Sequence, residues 1–204
     1  MHVILTSVSK GARESSLPTT SLAFCSGTVT LARAETERRP TVLGLIATGR
    51  MRADSGTVTI DGDTDYSAMR RRIALIDAPG VCEPADDVTV AQVVAEELMF
   101  AGRSGGRGNV LRVLEGLQLG GENRSAMANL APRSRIRLLT ELAVFREGVE
   151  GVVICSPDRH GGDPVEWWQL LEDLANRGYA VLAIAGDAAA HSIGMLQREE
   201  VGAR

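Results

Sequence analysis

Leu43-Gly44-Leu45-Ile46-Ala47-Thr48-Gly49, followed after two residues by Arg52-Ala53-Asp54-Ser55-Gly56-Thr57-Val58-Thr59-Ile60-Asp61-Gly62, is the stretch on which the fold turns. Its first part is an apolar run closed by a glycine. Pro40, just upstream, suits the first turn of a helix, where its missing N–H has no intrahelical partner to lose. The run therefore reads as a helix over 41–48 that ends at Gly49. The second part is a short alternating strand with turn residues at both ends, which is a hairpin signal.

Working outward, Val3-Ile4-Leu5 and Ser21-Leu22-Ala23-Phe24 read as strands joined by a polar segment, and Thr28-Val29-Thr30-Leu31-Ala32 as a third after a turn at Gly27. Downstream, 71–76 is basic and then apolar, a buried strand running into the loop Asp77-Ala78-Pro79-Gly80. The segments 88–100, 109–119 and 135–146 carry apolar residues at helical spacing, with a flexible Gly-rich stretch at 102–108. Gly151-Val152-Val153-Ile154-Cys155 is a core strand, 167–177 a helix ending at Gly178, and 179–185 the last strand. A strand-rich first quarter followed by alternating helices and strands predicts a mixed α/β core with a helical insertion.

The composition narrows the function classes. At 204 residues and 44% apolar content, the chain can bury one substantial core. No run approaches the roughly 18 to 20 apolar residues that a membrane span needs, and the first ten residues lack a signal-type pattern. A cytoplasmic location is expected, with membrane contact only peripheral. Cys25, Cys82 and Cys155 have neither disulfide nor metal-ligand spacing. The net charge of −4 gives no reason to expect a nucleic-acid partner. Lys10 is the only lysine among 22 basic residues, so any phosphate site must rely on arginine. Arginine grips phosphate as a planar fork and does not replace a loop lysine without rearrangement.

The order of elements, together with the opening stretch, resembles the ATP-binding cassettes of ABC transporters over about residues 1–190. The 43–62 segment is similar to that family's first helix and its "PDSG…I.G" hairpin. The resemblance implies a P-loop NTPase-like core, a mixed sheet with an antiparallel N-terminal β part, and a helical subdomain at about 85–140. It leaves 191–204 as a C-terminal tail.

The same resemblance says where the chemistry should lie. A GxxxxGK[ST] loop cradles phosphates through close backbone amides and a lysine. The corresponding stretch is Ala34-Glu35-Thr36-Glu37-Arg38-Arg39-Pro40-Thr41, with no glycine and Pro40 at the lysine position. Glu35 and Glu37 bring negative charge to a place meant for an anion. Thr41 alone matches, as the residue that ligates magnesium in the family. Ala78 displaces the loop glutamine, and Leu130-Ala131-Pro132-Arg133-Ser134 stands for the LSGGQ signature. Cys155 and Ser156 occupy the positions of the magnesium-organising Asp and the general-base Glu, and Gly186 that of the switch histidine. Phosphoryl transfer depends on positioning and charge stabilisation, so losing these parts together leaves no plausible catalyst.

The expectation is a catalytically degenerate cassette, a structural or regulatory subunit that docks on a membrane permease-like protein or on a second cassette. Its docking groove would involve the 81–99 region. No cofactor is expected, although the family's own would be ATP with Mg2+, and residual anion binding would fall to Arg38, Arg39 and Thr41. Two alternatives stand beside this reading. One is a nucleotide-binding subunit that completes composite sites with an active cassette. The other is a thiol-dependent hydrolase centred on Cys155, with His160 and Asp163 nearby. Trp167 and Trp168 are expected not to share the core, which leaves one at the surface or at an interface.

Overall fold

A computed structural model describes residues 1–35 and 38–202 of the chain, with 195–202 described by backbone alone. In chain order, strands β1 (His2–Lys10), β2 (Leu17–Cys25) and β3 (Val29–Arg33) precede helix α1 (Arg39–Ala47). Strand β4 (Ser55–Ile60), helix α2 (Tyr66–Arg72) and strand β5 (Ile73–Ile76) follow. Helices α3 (Val90–Phe100), α4 (Arg107–Gly116) and α5 (Pro132–Ala143) form the middle of the chain. Strand β6 (Gly151–Cys155), helix α6 (Pro164–Asn176), strand β7 (Ala180–Ala185) and helix α7 (Asp187–Gly202) complete it.

Two ladders result. One is antiparallel in the order β2-β1-β4, and the other is wholly parallel in the order β3-β7-β6-β5. The parallel strands are nearly continuous apolar runs because both faces of their sheet are covered. Val152, Ile154, Val181 and Ala183 face a core shared with the helices of the middle and C-terminal parts. Val153, Cys155, Leu182 and Ile184 face a second core with α1 and the antiparallel sheet. Helix α1 can lie close on β6 because Gly44 has no side chain: a Cβ there would sit 2.6 Å from the sulfur of Cys155.

Several local expectations change. The 54–62 segment is a strand, but its partner is β1, with Val58 opposite Leu5, so the hairpin reading is corrected. Turn residues mark where a strand ends and do not say which strand it joins. Residues 66–72, unassigned or joined to the following strand above, form α2. Asp65 caps this helix by accepting from the Ser67 and Ala68 amides, and Arg70, Arg71 and Arg72 complement its C-terminal dipole. Helix α7 runs through most of the segment read as a tail. The expectation for the tryptophans also fails. Trp167 and Trp168 are both buried, with ring centroids 6.4 Å apart in an edge-to-face pair. Helix α6 packs against α5, α7, β7 and β3, so its apolar arc is wide enough for two neighbouring positions. The Trp168 indole N–H reaches Glu172 at 2.6 Å.

The helical middle is specified locally. Thr89 and Gln92 make a reciprocal capping box at the start of α3. Pro132 opens α5 in the first turn, where proline is tolerated.

Candidate functional site

In open α/β sheets, ligands bind in the crevice beyond the carboxyl ends of the parallel strands. In this chain that crevice is a cleft of about 570 Å³. Ala34 and Glu35 follow β3, Ser156, Asp158 and Arg159 follow β6, and Gly186 follows β7; Pro40 of α1 and Pro79 beyond β5 close it.

Among the described residues, the backbone donors that usually make such a crevice attractive to anions are missing or already taken. Pro40 has no amide proton. The Gly186 N–H donates to Asp158 Oδ2 at 3.0 Å, and the Asp187 N–H donates to Glu35 Oε1 at 2.7 Å, so the chain's own carboxylates satisfy the start of α7. Asp158 Oδ1 is buried and has no hydrogen-bond partner among the described residues. A phosphate entering the cleft would meet two carboxylates, and the Arg159 guanidinium that also lines it is engaged by Asp77 and Glu83. Two like charges about 4 Å apart repel by about 1–4 kcal/mol at effective dielectric constants between those of water and a protein surface.

Of the residues singled out from the sequence, the fold brings Glu35, Pro40, Ser156 and Gly186 to the cleft. Ser156 sits in the left-handed region, at φ 49° and ψ 53°, where the chain leaves β6. Thr41 is buried, and among the described residues its hydroxyl makes only a long 3.4 Å contact with the Pro79 carbonyl. Arg38 is exposed, and Arg39 lines an adjoining pocket with Leu17, Pro18, Thr20 and Asp187, which shares Ala34 and Glu35 with the cleft. Ala78 is fully buried. Glu37 lies outside the described residues.

Cys155 is fully buried, and its thiol points at the Pro40 carbonyl, 3.4 Å away. Burial pushes the thiol well above its ordinary range, which is the opposite of what a nucleophile needs. His160 is engaged elsewhere, and Asp163 caps α6 by accepting from the Val165 amide. The three groups do not form a thiol-activating constellation.

The most heavily built polar cluster centres on a residue that the sequence reading passed over. Asp77, directly after β5, has no exposed side chain and a left-handed backbone at φ 53°. Its carboxylate receives Arg135 through Nη2 at 2.8 Å and Nε at 3.1 Å. Arg159 Nη2 adds a bond at 3.0 Å, and His160 Nε2 lies 2.8 Å from Oδ2. Burial opposes the charge on Asp77, but the hydrogen bonds from His160 and Arg135 and the charges of Arg135 and Arg159 outweigh it. The carboxyl is held far below its usual range. An ionised Asp77 accepts only, so the His160 proton must sit on Nε2. That nitrogen then has no lone pair to offer Arg159 Nε, 3.0 Å away. An acidic residue straight after a short apolar strand was the available signal, but Arg135 and Arg159 are distant in sequence and nothing local pairs them with it.

Beside this cluster lies a smaller groove of about 190 Å³, between β5 and the helical layer. Arg50, Asp77, Val81 and Cys82 line one side, and Glu97, Leu139, Ala143 and Arg146 the other. Val81, Met99 and Phe100 are exposed large apolar residues. Arg146 pairs with Glu97 at 2.6 Å and lies over the Phe100 ring at 5.6 Å.

The fold so described is that of the ATP-binding cassettes of ABC transporters. The chain is similar to a nucleotide-free ATP-binding cassette from an ABC transporter, at 18% identity, TM-score 0.64, and 92% and 82% coverage of the two chains. It is also similar to the ATP-binding subunit of an ABC transporter, at 16% identity, TM-score 0.61, and 93% and 81% coverage. A putative ABC transporter ATP-binding protein from Pyrococcus furiosus superposes with TM-score 0.63 at 11% identity, covering 92% of each chain. No family model matches the sequence, and no curated protein matches it. Among the described residues, no helix is long and apolar enough to cross a membrane.

Proposed function

We propose that this chain is a catalytically degenerate cassette that serves as a structural or regulatory subunit of a membrane transporter-like complex. The observation that carries the reading is the cleft at the strand ends. In the place where a cassette would seat the nucleotide's phosphates, Pro40 supplies no donor, and Asp158 and Glu35 have already taken the amides of Gly186 and Asp187, respectively. Those residues do not fit a magnesium-bound polyphosphate. The partner is a membrane permease-like protein or a second cassette, with the groove lined by Val81 and by Arg146, which lies over Phe100, as the docking surface. Exposed apolar residues rimming a charged groove suit protein association. The subunit works on the cytoplasmic face of the membrane, held there by its partner.

The test is an equilibrium titration of the full chain with a fluorescent ATP analogue and magnesium, followed by anisotropy. Binding is expected to stay at background up to millimolar analogue. Saturable, magnesium-dependent binding in the micromolar range would overturn the reading and favour the composite-site alternative.

A further inference from the structure

The Asp77 cluster joins three segments that are far apart in sequence: the loop after β5, helix α5 through Arg135, and the turn Pro157–His160 through Arg159 and His160. Arg159 does more than contact Asp77. Its Nη1 also pairs with Glu83 at 2.7 Å, and the other oxygen of Glu83 accepts from the Gly80 amide at 2.8 Å. One guanidinium from the turn beyond β6 therefore holds the 77–83 loop at two points. The loop closes on itself between them, where the Val81 and Cys82 amides donate to the Ala78 carbonyl. The same loop then leads into α3, and it forms one wall of the groove through Val81 and Cys82.

We infer that Asp77, Arg135, Arg159 and Glu83 form an internal latch, which fixes the loop and the helical layer against the core with no bound ligand. Proteins that open and close around a ligand let that ligand bridge their lobes. In this chain a bridge of fixed charges already does so. The groove is thereby preformed, and a partner meets one arrangement of its walls rather than selecting it from several. Only this last consequence rests on the docking role proposed above; the latch itself is a statement about the isolated chain.

Amide hydrogen exchange on the full chain, resolved by peptide, tests it. Asp77 and Arg135 are fully buried, and their variants endanger the fold. The variants used are therefore Arg159→Gln and Glu83→Gln, whose side chains are 22% and 38% exposed. Arg159→Gln is expected to speed exchange across residues 78–88 by about tenfold, while peptides from β6 and β7 stay within about twofold. Glu83→Gln should give a smaller change confined to the amides of Gly80, Val81 and Cys82. Unchanged protection of 78–88 in Arg159→Gln would overturn the latch. So would acceleration spread evenly through β6 and β7, which marks a general loss of stability. Adding magnesium and ATP to the wild type separates the two readings. New protection at the cleft would count against the proposed function, whereas the response of 78–88 to the variants decides the latch.

Discussion

The cleft at the strand ends and the cluster around Asp77 are neighbours that share Arg159, and they use the same kinds of group to opposite effect. In the cleft, Glu35 and Asp158 cap backbone amides beside solvent and leave a surface short of donors. Around Asp77, a carboxylate is removed from solvent and matched by two guanidiniums and an imidazole. Arg159 touches both regions: it lines the cleft yet spends its hydrogen bonds on Asp77 and Glu83. Charge in this chain is thus invested in holding segments together rather than in receiving a ligand at the strand ends.

The sharpest way to break the contrast is to remove the central carboxylate. Asp77→Ala leaves Arg135 buried without its partner, and orphaning one member of a buried pair costs about 3–5 kcal/mol. For a chain of this size each kcal/mol moves the melting temperature by about 2–4 °C, so a fall of about 10 °C is expected by calorimetry. A fall below about 2 °C would mean that the pair contributes little.

Acid provides a milder version of that experiment. The folded-state pKa of Asp77 is depressed, so its contribution is fully present above the unfolded value of about 3.9 and is lost as pH falls below it. Asp77→Asn removes that titration while keeping the shape. In urea unfolding, the stability gap between wild type and Asp77→Asn should narrow as pH falls from about 4.5 to about 3. A gap that stays constant to about pH 3.5 would show that the carboxyl titrates alike in both states.

The two regions were unequally legible in the sequence. Apolar runs and turn residues located the strands β3, β5, β6 and β7, because a sheet covered on both faces leaves an unbroken signal. Pro40, Ser156 and Gly186 could be located from the resemblance to the cassettes, since each sits at the end of a recognisable element. Glu35 and Asp158 could not be seen as caps for α7, because that helix was read as a tail and the contacts span 152 and 28 residues. Asp77 was hidden for the same reason, its partners lying 58 and 82 residues away. The tryptophan pair failed on a different point. A sequence shows which residues share a helical face but not how many neighbours will cover that helix.

The smallest effect belongs to the cleft, and it tests whether one residue or the whole lining keeps an anion out. Pro40→Ala restores an amide proton at the start of α1 while leaving Glu35 and Asp158 in place. Proline at a compatible first-turn position restricts the unfolded chain, so losing it should lower stability by only about 0.4–1 kcal/mol, read as a shift in the urea midpoint. If the missing amide were the sole obstacle, Pro40→Ala would bind the ATP analogue measurably. The carboxylates argue otherwise: one regained donor offers about 0.5–1.5 kcal/mol net, while repulsion from two nearby charges is of similar or larger size. Binding is therefore expected to remain at background in this variant. A saturable signal from Pro40→Ala alone would shift the explanation from the charge of the lining to a single missing proton.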